Sequence, residues 1–185
     1  MISFKEYILE SASKEKKGNG FGCLMLMYNS KFKQKFATIT SKIDPKDLYD
    51  PKLGFGVEDD PHVTIKYGLH EQDHDKVFAT LGNLDPITIK LATKTSLFES
   101  DRFNVVKIKI ISQELRDLNR RICKIFDYTD KFDTYNPHTT VAYVKSGLGK
   151  KYLDLDLDSI SGSSMTLNKI CFSDAESNKK NIYLR

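Results

Sequence analysis

The chain repeats one short pattern whose residue types suit proton transfer. Residues 61–67 read Pro-His-Val-Thr-Ile-Lys-Tyr, and residues 137–143 read Pro-His-Thr-Thr-Val-Ala-Tyr. Proline, histidine, threonine, a β-branched residue and tyrosine therefore recur at the same offsets. Two of the four histidines of the protein, His62 and His138, stand in this frame. Because an imidazole titrates near neutral pH, a pair of them can supply both a general base and a general acid.

Both copies are predicted to be strands, because they are rich in β-branched and aromatic residues and each opens with proline, which a strand tolerates at its first residue. Side chains alternate between the two faces of a strand. The first copy is therefore expected to place His62, Thr64 and Lys66 on one face, and the second copy to place His138 and Thr140 together. If the two strands face each other, two imidazoles and two hydroxyls surround one small anionic group.

This set of groups fits general acid–base catalysis on a phosphodiester. One imidazole takes the proton from an attacking 2′-hydroxyl or water, and the other gives a proton to the departing oxygen. Thr64 and Thr140 are expected to donate hydrogen bonds to the non-bridging phosphate oxygens, and Lys66 to add positive charge beside them. The arrangement requires neither a metal nor another cofactor. The pattern does not decide which histidine is the base.

A single His-x-Thr in a strand has a simpler interpretation, a structural histidine beside a threonine chosen for its strand propensity. Two copies with matching flanks favour a functional role instead. Outside enzymes, the alternative is a binding module that sequesters a nucleotide without cleaving it. Such a pocket need not keep both proton-transfer groups, so their presence favours an enzyme.

The paired motifs resemble those of the 2H phosphoesterases, a family with one His-x-Thr in each of two lobes. The family includes LigT-type RNA 2′,3′-cyclic phosphodiesterases, enzymes acting on 2′-5′ oligoadenylates, and phage enzymes that degrade cyclic oligonucleotide signals. The form Pro-His-Val-Thr-(x)2-Tyr-Gly at residues 61–68 is most similar to the phage anti-CBASS nucleases, as are the compact length and Phe172-Ser173 before a short terminal strand. The resemblance covers most of the chain after about Phe21.

The resemblance implies a metal-independent phosphodiesterase in which the catalytic residues are His62, Thr64, His138 and Thr140. The implied substrate is a cyclic oligonucleotide second messenger with RNA-type 3′-5′ linkages, cleaved in the host cytoplasm to evade antiviral signalling. A 2′,3′-cyclic phosphate on RNA and a 2′-5′ linked oligonucleotide stay open as alternative substrates.

Three further patterns offer weaker candidates. Tyr135, just before the second copy, is a candidate for stacking on a base, and a plain loop tyrosine is the alternative. His70 and His74 have the i, i+4 spacing of metal ligands on a helix, but the glutamate and third ligand of a zinc centre are missing. Residues 154–158 imitate the start of a calcium-binding loop, which then has serine and methionine in place of its glycine and final glutamate.

The segments around the motifs predict an α+β fold with largely antiparallel sheets. Apolar runs or alternation predict strands over residues 21–28, 86–92, 103–110, 165–172 and 181–184. Helices are predicted over 71–81 and from the cap Ser112 to near Phe126. Residues 31–60 predict no single element, and 154–158 an extended segment. The repeat suggests two lobes related by a pseudo-two-fold axis around a central cleft, with helices on the outer faces.

Length and composition suit one globular domain: 185 residues, 39% hydrophobic and 29% charged. Residues 1–20 are predicted to be a helical appendage and residues 21–185 a single two-lobed domain. The net charge of +4 is too mild for a stable duplex nucleic-acid partner and is compatible with a small cyclic or linear oligonucleotide. The three cysteines form no CxxC pair and no run is long enough to span a membrane, so a reducing cytoplasm is the expected location.

Overall fold

The computed structural model describes residues 20–82, 84–130, 132, 134–162 and 164–185. The helical appendage predicted for residues 1–20 lies outside them except for Gly20. The strands are β1 (Gly22–Met27), β2 (His62–Leu69), β3 (Ile87–Glu99), β4 (Phe103–Ile111), β5 (His138–Lys145), β6 (Ser164–Leu167), β7 (Lys169–Ser173) and β8 (Lys179–Tyr183). The helices are α1 (Ser30–Thr40), α2 (His74–Leu81) and α3 (Gln113–Ile125), with short 3-10 turns at Pro45–Asp47, Pro51–Leu53 and Gly149–Tyr152.

The strands form two four-stranded antiparallel sheets, one for each lobe. The sheet of the first lobe has the order β2-β1-β7-β8, and that of the second lobe has the order β5-β4-β3-β6. Each motif strand therefore lies at the edge of its sheet, and the two edge strands β2 and β5 contact each other. The predicted α+β fold with two antiparallel lobes is confirmed.

The two lobes share a β-α-loop-β unit. In the first lobe β1 leads through α1 and a loop to β2, and in the second β4 leads through α3 and a loop to β5. Within each unit the two strands pair antiparallel, with Met27 opposite His62 and Lys109 opposite His138. The repeated motif is therefore the part of a larger repeated unit that is visible in the sequence.

Helix α1 falls within residues 31–60, where no single element was predicted. Asn29 caps it by accepting a hydrogen bond from the backbone N–H of Phe32 at 2.9 Å. Phe32, Phe36 and Ile39 are buried and have the i, i+4, i+7 spacing of an apolar helix face. Lysines at positions 31, 33 and 35 alternate with other residues and give the segment a two-residue period that hides the helical one.

Helix α3 begins at the predicted cap, since Ser112 accepts a hydrogen bond from the N–H of Leu115 at 3.2 Å. Its buried face includes Leu115, Leu118 and Ile122, whereas Ile125 is exposed at the last turn. Helix α2 starts three residues later than predicted, after the cap Asp73. In the part of the chain that the structure describes, no helix is long and apolar enough to cross a lipid bilayer.

The C-terminal part of the chain crosses from one lobe to the other. The single strand predicted over 165–172 is two strands that part at Asn168, because β6 pairs with β3 in the second lobe and β7 with β1 in the first. Residues 154–158 form turns and irregular backbone rather than the predicted extended segment, and Leu157 is buried in the core. This crossing makes both sheets depend on the last residues of the chain.

Candidate active site

The two motif histidines are held in the same way. His62 opens β2, and its Nδ1 lies 2.9 Å from the carbonyl oxygen of Asp60. His138 opens β5, and its Nδ1 lies 2.8 Å from the carbonyl oxygen of Asn136. Because a carbonyl oxygen only accepts hydrogen bonds, Nδ1 carries the proton in both rings. Nε2 is then the nitrogen that each ring offers to a substrate, as a base when neutral and as an acid when protonated.

The structure brings each histidine together with the threonine two residues later. Thr64 and Thr140 follow on the same strand face, and both are partly exposed. The two imidazoles are within electrostatic range, since the charge of His62 acts on His138. The structure therefore brings the two histidines and the two threonines that the sequence singled out to the contacting edge strands β2 and β5.

A β-bulge then interrupts the alternation of both motif strands. In β2, Thr64 pairs with Met25 and the next pair is Lys66 with Leu24, so Ile65 is the extra residue. The pairing of β5 with β4 shifts at the equivalent place, just after the second threonine. A bulge opposes two residues to one on the partner strand. The residue after the extra one in each strand, lysine in β2 and alanine in β5, is consequently buried.

Lys66 lies on the core side of β2, so the prediction that it shares a face with His62 and Thr64 is wrong. Its side chain is 5% exposed, and Nζ donates a hydrogen bond to Asp130 Oδ2 at 2.6 Å. Nζ also lies 3.6 Å from the centre of the Tyr128 ring. The charge of Lys66 is therefore satisfied inside the protein, and the structure does not bring it to the histidines.

Tyr135 is also placed differently from the predicted base-stacking residue. Its hydroxyl donates a hydrogen bond to the carbonyl oxygen of Thr64 at 2.8 Å, and its ring packs against the core. Burial raises the pKa of this tyrosine. Asn119 Nδ2 donates similarly to the carbonyl oxygen of Ile65 at 2.7 Å. Tyr135 therefore binds the backbone at the edge of β2. This position agrees with the alternative interpretation, a structural loop tyrosine.

The loop before each histidine pairs with the motif strand of the opposite lobe. In the first approach loop, residues 48–60, the N–H of Glu58 donates to the carbonyl oxygen of Val141 at 2.9 Å, and Gly56 accepts from the N–H of Tyr143 at 2.9 Å. Phe55 packs edge-on against the ring of Tyr143, with ring centres 5.4 Å apart. The outer edge of β5 is thus covered by chain that continues into the first lobe.

The second approach loop, residues 127–136, covers β2 in return. Thr129 donates from its N–H to the carbonyl oxygen of Gly68 at 2.8 Å, and the N–H of His70 donates to Asp127 at 3.0 Å. Gly68 has a φ of +87°, and a Cβ built there would lie 2.0 Å from the carbonyl oxygen of Thr129. Only glycine fits this approach of two backbones.

Strand β4 brings two lysines to the second motif that the sequence analysis did not assign to the site. Lys107 pairs with Thr140 and Lys109 with His138, and directly opposed residues share a sheet face. Burial lowers the pKa of Lys107, and its charge acts on His138. The alternation of lysines along β4 predicts a shared face, but the partner strand was not predictable from it.

Glu58 is a second group that was missed. Its Oε1 accepts a hydrogen bond from the N–H of Asp60 at 3.0 Å, and its charge interacts with His62. Burial raises the pKa of Glu58, and the neighbouring imidazole acts in the opposite direction. The available signal was the acidic run of residues 58–60 immediately before the first motif.

The other two histidines lie apart from the cleft. His70 Nε2 is 2.8 Å from Thr129 Oγ1, and His74 Nε2 is 3.1 Å from the carbonyl oxygen of Asn178. Helix α2 begins at His74, so the two are not on one helix face. Among the described residues, no group of three histidine, cysteine, aspartate or glutamate side chains is arranged to hold a metal ion.

A family model described as the 2′-5′ RNA ligase superfamily matches residues 58–174, which include both motifs. No curated protein sequence matches the chain.

Several solved structures are similar to this chain in fold. Usb1 of Kluyveromyces marxianus, solved with uridine monophosphate, has a TM-score of 0.57 and 10% identity over 91% of this chain and 99% of that one. TT0787 of Thermus thermophilus has a TM-score of 0.59 and 12% identity, with 89% and 95% covered. LigT of E. coli in its apo form has a TM-score of 0.54 and 13% identity, with 89% and 94% covered.

Proposed function

The chain belongs to the 2′-5′ RNA ligase superfamily of 2H phosphoesterases, and we propose on that premise that it is a metal-independent phosphodiesterase. One observation carries the proposal. His62 and His138 each donate from Nδ1 to the carbonyl two residues earlier, on strands that meet at the cleft. The matched contacts leave two Nε2 atoms for the two proton transfers that cleavage of a phosphodiester needs.

For an RNA-type linkage, one Nε2 removes the proton of the 2′-hydroxyl, whose oxygen forms a bond to phosphorus. The bond from phosphorus to the 5′-oxygen breaks, and the other Nε2–H protonates that oxygen. The products are a 2′,3′-cyclic phosphate and a free 5′-hydroxyl. Thr64 and Thr140 donate to the non-bridging oxygens, where negative charge grows in the transition state.

The proposed substrate is a cyclic oligonucleotide second messenger with 3′-5′ linkages, and its destruction would evade host antiviral signalling. The similarity of residues 61–68 to the phage anti-CBASS nucleases supports this choice. A mild net charge of +4 and lysines at one side of the cleft suit a small polyanion better than a duplex. Solution of the Usb1 relative with uridine monophosphate is compatible with a cleft of nucleotide size.

The test is product analysis with EDTA present. The panel contains cyclic di- and trinucleotides, a 2′-5′ oligoadenylate and an RNA with a 2′,3′-cyclic phosphate end. We expect cleavage of the cyclic messengers alone, reduced about 10²–10⁴-fold in His62→Ala and His138→Ala. His74→Ala, which removes an imidazole outside the cleft, is the matched control and should keep full activity.

Four results would contradict the proposal. Selective opening of the RNA end would assign the protein to RNA processing, and selective cleavage of the 2′-5′ oligoadenylate to that linkage. Tight binding without turnover would make it a sequestering module. Full activity in either cleft variant would exclude the two-histidine mechanism.

A further inference from the structure

The two lobes match in backbone but not in charge around their histidines. Four and two residues before the histidine, the first approach loop has Glu58 and Asp60, and the second has Thr134 and Asn136. The backbone contact is the same in both, since the carbonyl two residues earlier accepts from Nδ1 in each case. The first lobe thus puts carboxylates where the second puts neutral groups.

The neighbouring strands have the complementary difference. Opposite the histidine and threonine of the second motif, β4 places Lys109 and Lys107. At the same positions of the first lobe, β1 places Met27 and Met25. The four residues before the first histidine therefore include acidic side chains and lie next to a neutral strand, whereas the four before the second histidine are uncharged and lie next to a basic strand.

We propose that Glu58 and Lys107 are positioning residues that divide the two histidines into a proton donor and a proton acceptor. His62, on the acidic side, protonates the leaving 5′-oxygen. His138, on the basic side, takes the proton of the 2′-hydroxyl. The inference rests on the proposed function and adds a direction to its proton transfers.

The contacts of Glu58 hold its carboxylate in the loop segment that supports the first histidine. Its N–H is bonded to Val141 on β5, and its Oε1 accepts from the N–H of Asp60, whose own carbonyl accepts from His62. The positive charge of a protonated His62 ring lowers the pKa of Glu58 against the effect of burial, so the two charged groups attract each other. That protonated ring has a hydrogen on Nε2, which is the form that a general acid needs.

The surroundings of His138 act in the opposite direction. Burial lowers the pKa of His138, and the charges of Lys107 and His62 lower it further, against the hydrogen bond to Asn136. A neutral ring with its hydrogen on Nδ1 has a lone pair on Nε2, which is the form that a general base needs.

Other charged groups near the two rings do not reverse this asymmetry. Lys33 on α1 forms an ion pair with Asp60, and Lys179 on β8 also acts on that carboxylate, so the charge of Asp60 is partly compensated. Lys169 on β7 pairs with Met27, in the same row as His62 but one strand further away. Two further charged groups among the described residues are Asp59 beside Glu58 and Lys109 beside Lys107.

The first test uses a leaving group that needs no proton. A cyclic dinucleotide with 3′-5′ linkages is compared with its analogue in which sulfur replaces the bridging 5′-oxygen. A thiolate leaves unprotonated, so the sulfur analogue should recover most of the loss in His62→Ala. The loss in His138→Ala, about 10²–10⁴-fold, should be equal on both substrates.

The second test follows the ring titrations and the pH–rate profile. Lys107→Met copies the first lobe and should move the titration of His138, and the acidic limb of the profile, upward by on the order of 1 pH unit. Lys107→Arg keeps the charge and should not. Glu58→Gln keeps the acceptor for Asp60 but removes the negative charge near the proposed acid, so it should slow cleavage of the oxygen-linked substrate more than cleavage of the sulfur analogue. Lys124→Met, on the exposed face of α3, is the control.

The division of the histidines into donor and acceptor and the proposed function itself would be contradicted by different results. Sulfur rescue of His138→Ala instead of His62→Ala would overturn the assignment. So would an acidic limb that stays in place in Lys107→Met, or an equal effect of Glu58→Gln on both substrates. NMR titration of His138 needs no turnover. If His138 titrates as expected while the wild type cleaves nothing, the charge division stands at this ring and the proposed function falls.

Discussion

At the scale of single residues, the backbone prepares the histidines before any substrate arrives. A proline stands between each accepting carbonyl and its histidine, at Pro61 and Pro137, and restricts the backbone at that place. The identity of the His and Thr residues was predictable from the repeat. The inward position of Lys66 was not, because Val-Thr-Ile-Lys continues the alternation without a break, and the partner Asp130 lies far along the chain.

The lowered pKa of His138 should appear in the pH dependence of stability. Its ordinary value is 6.5, so just below that pH the unfolded chain binds a proton that the folded protein does not. The free energy of unfolding should therefore rise with pH up to about 6.5 and lose this rise in His138→Gln. Urea unfolding measured between about pH 5 and 7.5 tests this. An unchanged slope in His138→Gln, with His74→Gln as control, would contradict it.

Lys66→Met should affect stability and not catalysis. The substitution leaves Asp130 without its cation in a mostly buried place and should lower the free energy of unfolding by roughly 1–3 kcal/mol. Because Lys66 lies on the core side, kcat/KM of the folded variant should stay within about twofold of wild type. Adding Asp130→Asn should restore part of the stability. A large loss of kcat/KM in a stably folded Lys66→Met variant would contradict this and show that Lys66 contributes to the active site.

At the scale of elements, the bulges determine which side chains of the motif strands are exposed, and the crossing approach loops determine which strand edges are covered. Strand periodicity predicts which segments are strands and which residues share a face, but a bulge adds one residue without changing composition. The local sequence does not predict the structure of the approach loops. Each loop makes hydrogen bonds to a strand of the opposite lobe, and these partners are distant in sequence. The helix α1 was readable in principle from its apolar spacing, but the alternating lysines competed with that signal.

Gly68→Ala should disrupt the packing of the second approach loop on β2. The added Cβ would meet the backbone of Thr129, and the variant should lose at least about 2 kcal/mol of stability. Gly54→Ala is the matched control, because Gly54 also has a positive φ, +84°, but no atom within 4 Å of an added Cβ. That variant should lose only about 1 kcal/mol. Equal losses in chemical denaturation would mean that the close approach of the two backbones contributes nothing.

At the scale of the whole molecule, the lobes are joined by several independent connections. The hydroxyls of Tyr28 in the first lobe and Thr139 in the second are 2.7 Å apart and buried. Both approach loops cross between lobes, and the chain crosses again at Asn168. A repeat in sequence predicts two lobes but cannot tell whether they are separable, since that depends on these long-range contacts.

We therefore expect the described lobes to unfold as one unit. Native-state hydrogen exchange should give the central amides of β1 and β4 the same free energy of opening, with coincident denaturant dependence. Tyr28→Phe should lower both values together, by about 1–2 kcal/mol, because Thr139 loses a buried partner. Two distinct opening energies, or a loss confined to one strand, would show that the lobes are separate cooperative units.

The crossed approach loops also limit how the protein can select its ligands. Each loop carries one histidine at its end and is hydrogen-bonded to the strand that carries the other. Moving the lobes apart would therefore strain both of the loops that hold the histidines. We therefore expect the distance between the imidazoles to stay constant on binding, so that a molecule that does not fit is excluded instead of being accommodated by closure of the lobes.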